Sequence, residues 1–99
     1  MKFLLLAKPK PLPASVSRKL YGYLVEQAVV CLQQLWLRGE LLSFWGFQSG
    51  GSAAVIQADS LAKLEENLKH YPLYRFFSWE VNEVIDTPVL SLLVRQQIL

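Results

Sequence analysis

The 99-residue sequence holds one cysteine and one histidine. A lone cysteine, Cys31, excludes an internal disulfide and a cysteine-only metal site. With His70 it makes two soft ligands, fewer than the three or four a zinc centre needs, so no metal and no cofactor is expected. A single thiol fits a reducing compartment, and the chain reads as cytoplasmic. Long hydrophobic runs are also missing. No stretch approaches the ~20 apolar residues of a bilayer span. The five apolar residues after Lys2 are too few for a secretory core. No membrane partner is expected. Strong charge of either sign is absent too: ten Lys and Arg against eight Asp and Glu leave +2. That balance does not argue for a nucleic acid.

Apolar residues are what the chain has in excess, at 53%. The usual globular share is lower. One domain of this length can bury a core unaided, and the surplus points to a subunit interface.

The sequence is organised about Gly50-Gly51. LLSFWGFQ precedes the pair and SAAVIQAD follows it. Two β-prone runs joined by Gly-Gly read as a hairpin, because glycine enters positive φ freely. A two-residue loop would set Trp45 opposite Ile56 and Phe47 opposite Ala54. Neither face of that hairpin carries a charge. A sheet with one wet face shows polar residues at alternate positions, so both faces are expected to be covered.

Residues 2–8 form a short apolar run between lysines, as a buried central strand does. Residues 8–13, KPKPLP, are a stiff connector. Ser15 or Ser17 can cap the helix that follows. Leu20, Leu24, Ala28, Cys31 and Leu35 form its apolar stripe, and Val25, Val29, Leu32 and Trp36 widen it. Gly22 weakens its first turns and permits close approach to another backbone. Gly39 is the expected stop. Asp59 or Ser60 can cap a second helix, which ends before Pro72. Residues 75–86 alternate as a long last strand, with Phe77, Trp79, Val81 and Ile85 sharing a face.

The order is β-α-β-β-α-β. It implies an α+β, ferredoxin-like domain over residues 1–86: a four-stranded antiparallel sheet with two helices on one face. The other sheet face is apolar and free. Its simplest cover is the same face of a second copy, an isologous homodimer. Residues 87–99 are extra to the unit and strongly apolar. Left in water they would expose a patch that soluble monomers rarely tolerate. They are expected to cross onto a partner subunit, the alternative being to fold back on their own helices.

Phe44-Trp45 after Gly39, the step Val55-Ile-Gln-Ala-Asp-Ser60, and Tyr71-Pro-Leu-Tyr74 followed by Trp79-Glu-Val81 resemble the muconolactone isomerase family of dimeric α+β barrels. The likeness covers roughly residues 1–86. It implies a homodimer, or a higher oligomer built from it, whose sheets face each other as a barrel. Isomerases of that family move a proton beside a lactone carbonyl with charged residues on helix 1 and around the second strand. Here residues 25–31 carry only Glu26 as a charge, and residues 41–47 carry none. Proton abstraction needs a positioned base and a partner for the enolate charge. The resemblance therefore implies the fold and leaves the reaction without its residues.

His70 can act as a general base in a pocket capped by Tyr71 and Tyr74. Equally, it can close helix 2, where an imidazole meets the helix dipole. Glu80, between Trp79 and Val81, can be an acid or base on a covered face, or a structural ion-pair partner. Ser43, Trp45, Tyr74, Ser78 and Trp79 are candidate ligand contacts, alongside their reading as core or filler. Two function classes remain: a cofactor-free isomerase or lyase acting on a small apolar carbonyl compound, and a non-catalytic homo-oligomeric module. RNA-binding domains share this strand order but need aromatics on the central strands. Residues 53–58 have none, which excludes that class.

Overall fold

A computed structural model describes residues 1–85, so the segment 87–99 and its expected crossing lie outside the described residues. The elements are β1 (Lys2–Pro9), α1 (Arg18–Leu37), β2 (Leu41–Gly46), β3 (Ser52–Gln57), α2 (Leu61–Leu68), a 3₁₀ turn (Tyr74–Phe76) and β4 (Phe77–Val84). The sheet is antiparallel, in the order β2-β3-β1-β4. This is the ferredoxin-like arrangement expected from the βαββαβ order.

Local chemistry sets the helix ends. The Leu20 N–H donates to Ser17 Oγ at 3.0 Å, so Ser17 rather than Ser15 caps α1. At the other end the Gly39 N–H reaches the Trp36 carbonyl and the Glu40 N–H reaches the Leu35 carbonyl. That crossed pair needs a residue at positive φ, and Gly39 sits at 73°. Ser60 caps α2 through the Lys63 N–H at 3.1 Å.

Alternation divides the sheet. Phe3, Leu5 and Ala7 are buried and pair with Ile56, Ala54 and Ser52. Phe77, Trp79 and Val81 lie across β1 on the same face. Leu64 and Leu68 of α2 pack there against Phe3 and Leu5. A second cluster joins Ala28 of α1 to Leu73 and Phe76. Lys2, Leu4, Leu6 and Lys8 point to the opposite, open face, with Ser43, Trp45, Ala53, Val55, Ser78 and Glu80.

Two local expectations are corrected. The hairpin loop is five residues, Phe47–Gly51, closed by the Phe47 N–H on the Gly51 carbonyl and the Gly50 N–H on the Phe47 carbonyl. Trp45 therefore faces Ala53 and Phe44 faces Ala54. An odd slip exchanges the faces. Trp45 leaves the face of Ile56, and Phe44 joins it. The last strand begins at Phe77, not at residue 75. The chain makes one 3₁₀ turn first, which buries Phe76 edge-on to Tyr21 at 5.5 Å.

Candidate functional site

The N-terminal half of helix α1 packs on the rest of the subunit. Tyr21, Leu24, Val25 and Ala28 close on Leu73 and Phe76. Its C-terminal half carries Cys31, Leu32 and Leu35 over a gap instead of onto the sheet. The gap is a cavity of about 820 Å³. Its floor is the helix-side face of the sheet: Leu5, Ala7, Phe44, Ala54, Ile56 and Trp79. One wall is α1, the other is Leu64 and Leu68 of α2, and His70, Tyr71 and Leu73 stand at one end. Arg38, Glu40, Asp59 and Lys63 also line it. Arg38 is held there by Glu40 at 3.1 Å. The site is thus apolar in body with a few polar groups, as small-molecule sites are.

Trp79 is the best-anchored side chain of the floor. Its indole N–H donates to the Tyr74 carbonyl at 2.9 Å. Tyr74 stacks on it at 6.2 Å and 11°, and Tyr71 stands edge-on at 5.9 Å and 85°. Burial pushes the Tyr71 hydroxyl up to about 12, with smaller contributions from Cys31 and Tyr21 across on α1. Burial also pushes the Cys31 thiol up, against a smaller downward pull from Arg38. Both groups therefore stay protonated near neutral pH and are donors rather than bases. Among the described residues no cluster of His, Cys, Asp and Glu can hold a metal ion.

The candidates named from the sequence fall on two sides of the sheet. His70 and Trp79 line the cavity. Tyr74 stands just outside it, in a smaller cleft of about 190 Å³ shared with Trp79 and Val81. Glu80 lies opposite Leu6 on the open face and is exposed. Ser43, Trp45 and Ser78 share that face. The sheet therefore separates Glu80 from His70. Tyr71, expected from the sequence to cap a pocket at His70, lines the cavity beside it, whereas Cys31 was not singled out as a site residue. The signal for Tyr71 was its place in the Tyr-Pro-Leu-Tyr turn. Cys31 read as ordinary helix stripe, and nothing local marks where that stripe lifts from the sheet.

Fold and cavity define a small ferredoxin-like α+β protein with an apolar chamber between helices and sheet. No family model and no curated protein matches the sequence. Solved structures do match. Muconolactone isomerase superposes with a TM-score of 0.79 at 21% identity, covering 89% of this chain and 92% of its own. A 5-chloro-2-hydroxyhydroquinone dehydrochlorinase from Burkholderia phenoliruptrix AC1100, in complex with 2,5-dihydroxybenzoquinone, superposes at 0.63 and 17% identity, covering 88% and 96%. The chain has the fold of these proteins. No helix among the described residues is long and apolar enough to cross a membrane.

Proposed function

We propose that the protein is a homodimer that binds a small, largely apolar carbonyl compound in the chamber between its helices and its sheet. The carrying observation is that chamber: about 820 Å³, walled by aliphatic and aromatic side chains, with the Tyr71 and Cys31 donors in its lining. A volume of this order suits a drug-sized ring compound. Two of the matching structures carry the names of enzymes for a lactone and a chlorinated hydroxyhydroquinone, and one of these holds a quinone. Their likeness supports the architecture of the chamber.

We read binding rather than catalysis because the ionisable groups of the chamber form no acid–base pair: among the described residues no carboxylate bonds to His70, Glu40 is taken up by Arg38, and Glu80 is on the far face. The homodimer reading rests on the open face. Leu4, Leu6, Trp45, Ala53 and Val55 form an apolar field there, with polar Ser78, Glu80 and Asn82 along β4. A second copy of that field would close the barrel.

Calorimetric titration with 1-indanone tests the chamber. Saturable binding is expected, lost at least tenfold in Leu35→Trp, whose indole fills the cavity from α1. Failure of the native protein to bind 1-indanone or related ring ketones overturns the reading.

A further inference from the structure

The chamber differs between its two ends. Where β1 begins, the Gln57 N–H reaches the Glu40 carbonyl and the Ala58 N–H reaches the Met1 carbonyl. The charged side chains of the lining, Arg38, Glu40, Asp59 and Lys63, stand at or next to that end. Where β1 ends, Pro9 pairs with Phe77, and Tyr71 and Leu73 lie just ahead of that strand. Tyr71 is held there at both backbone and ring. Its N–H donates to the Leu68 carbonyl at 3.0 Å, and its carbonyl accepts from the Tyr74 N–H at 2.9 Å. Pro72 follows it, and its ring stands edge-on to Trp79. Yet the Tyr71 hydroxyl makes no hydrogen bond to any described residue. The other fixed donors of the lining are engaged: the Trp79 N–H by the Tyr74 carbonyl, and the Arg38 guanidinium by Glu40.

A donor held still in an apolar wall is costly to cover with hydrocarbon. It costs little to order when an acceptor arrives, because its position is already set. Given ligand binding in the chamber, on which this rests, we propose that Tyr71 is the specificity-determining residue: its hydroxyl donates to the carbonyl oxygen of a ring ketone. That bond places the oxygen at the end of the chamber away from the charges and lays the ring along Leu32 and Leu35. Two other groups of the lining compete for the role. The Cys31 thiol, across on α1, is a weak donor. The Ser52 hydroxyl, on the floor, is a short rotor that can satisfy itself on nearby backbone. Only Tyr71 combines a strong donor with a position fixed from both sides. Ring compounds without an acceptor oxygen strand that donor and are rejected.

Calorimetric titration of the whole chain with 1-indanone and with indane, the same ring skeleton without its oxygen, tests it. The native protein is expected to prefer the ketone by about tenfold or more. Tyr71→Phe keeps the ring against Trp79 and removes only the oxygen. It is expected to bind indane as the native protein does and to lose the preference for the ketone. The infrared carbonyl stretch of bound 1-indanone should lie lower in the native protein than in Tyr71→Phe, as an accepted hydrogen bond requires. Cys31→Ala and Ser52→Ala should keep most of the preference. Loss of the preference in either of these, with Tyr71→Phe unaffected, puts the oxygen elsewhere and overturns the assignment. So does a Tyr71→Phe protein that loses indane as well, since the residue would then be shaping the chamber. A native protein that binds both compounds equally keeps the chamber as a site and overturns the role of Tyr71. One that binds neither removes the chamber reading, and the role of Tyr71 falls with it.

Discussion

Gly50 and Gly51 both sit at positive φ, 97° and 87°, yet their surroundings differ. At Gly50 an added Cβ would press on the Pro9 ring at 3.2 Å. At Gly51 it would run into the carbonyl oxygen of Ala7, a backbone atom held in the sheet. Gly46 has no neighbour within 4 Å of an added Cβ and no unusual φ. Gly51→Val is therefore expected to cost about 3 kcal/mol or more, combining strain and clash. Gly46→Ala should be neutral or stabilise by up to ~1 kcal/mol. Urea unfolding of the two variants checks the order. Tyr71 gives a second residue-scale expectation. Its proton is held until about pH 12 in the folded chain, whereas an unfolded tyrosine loses it near 10. Between those values the folded state binds more protons, so stability falls as pH rises from about 10 to 12 and is unaffected by Tyr71 below that. Tyr71→Phe should flatten that fall and remove the last tyrosine step from an absorbance titration at alkaline pH. A titration unchanged by the substitution would place the hydroxyl in water.

At the scale of elements, order and register were legible to different degrees. The βαββαβ order follows from switches between a period of two and a period of about 3.6, each bounded by Gly39, Ser60 or Pro72. The register of the hairpin does not. Gly-Gly signals positive φ, and both glycines have it, but they end a five-residue loop instead of making a two-residue one. What places Gly51 is its approach to Ala7, a contact over more than forty residues that no local pattern carries. The same holds for the site. Trp79 was legible from alternation, and the turn at Tyr71 from its proline. The gap under Cys31, Leu32 and Leu35 was not, because a helix stripe looks alike whether it meets a sheet or a chamber. Register can be read chemically. In a Cys31→Ser background, Trp45→Cys with Ala53→Cys should oxidise to a disulfide, since directly opposed residues have Cβ atoms about 4.5–5.5 Å apart. Trp45→Cys with Ile56→Cys should stay reduced, because those positions lie on opposite faces.

For the whole molecule the open sheet face is where the proposed dimer would form. Leu4 and Leu6 sit at its centre on β1, flanked by Val55 and Ala53 of β3 and then by Ser43 and Trp45 of β2. Trp45 is 53% exposed in the single chain. Toward β4 the field turns polar, through Ser78, Glu80 and Asn82. An apolar centre with a polar margin is the anatomy of an interface. A two-fold contact would lay this face against itself, and a stable one buries upward of ~1,200 Å² in total. Leu6→Asp puts a carboxylate at the centre, opposite Glu80 in the same sheet and against a copy of itself across the axis. Desolvating those like charges is expected to weaken association by a hundredfold or more. Single-chain folding should survive, because Leu6 points away from the Phe3, Leu5 and Leu64 core. Light scattering over a dilution series measures the association, and circular dichroism measures the fold. A native chain that stays monomeric at micromolar concentration, or a Leu6→Asp chain of undiminished mass, would leave the face without its proposed partner. The carboxylate of Glu80 would then stand on an ordinary wet surface rather than at the margin of a barrel.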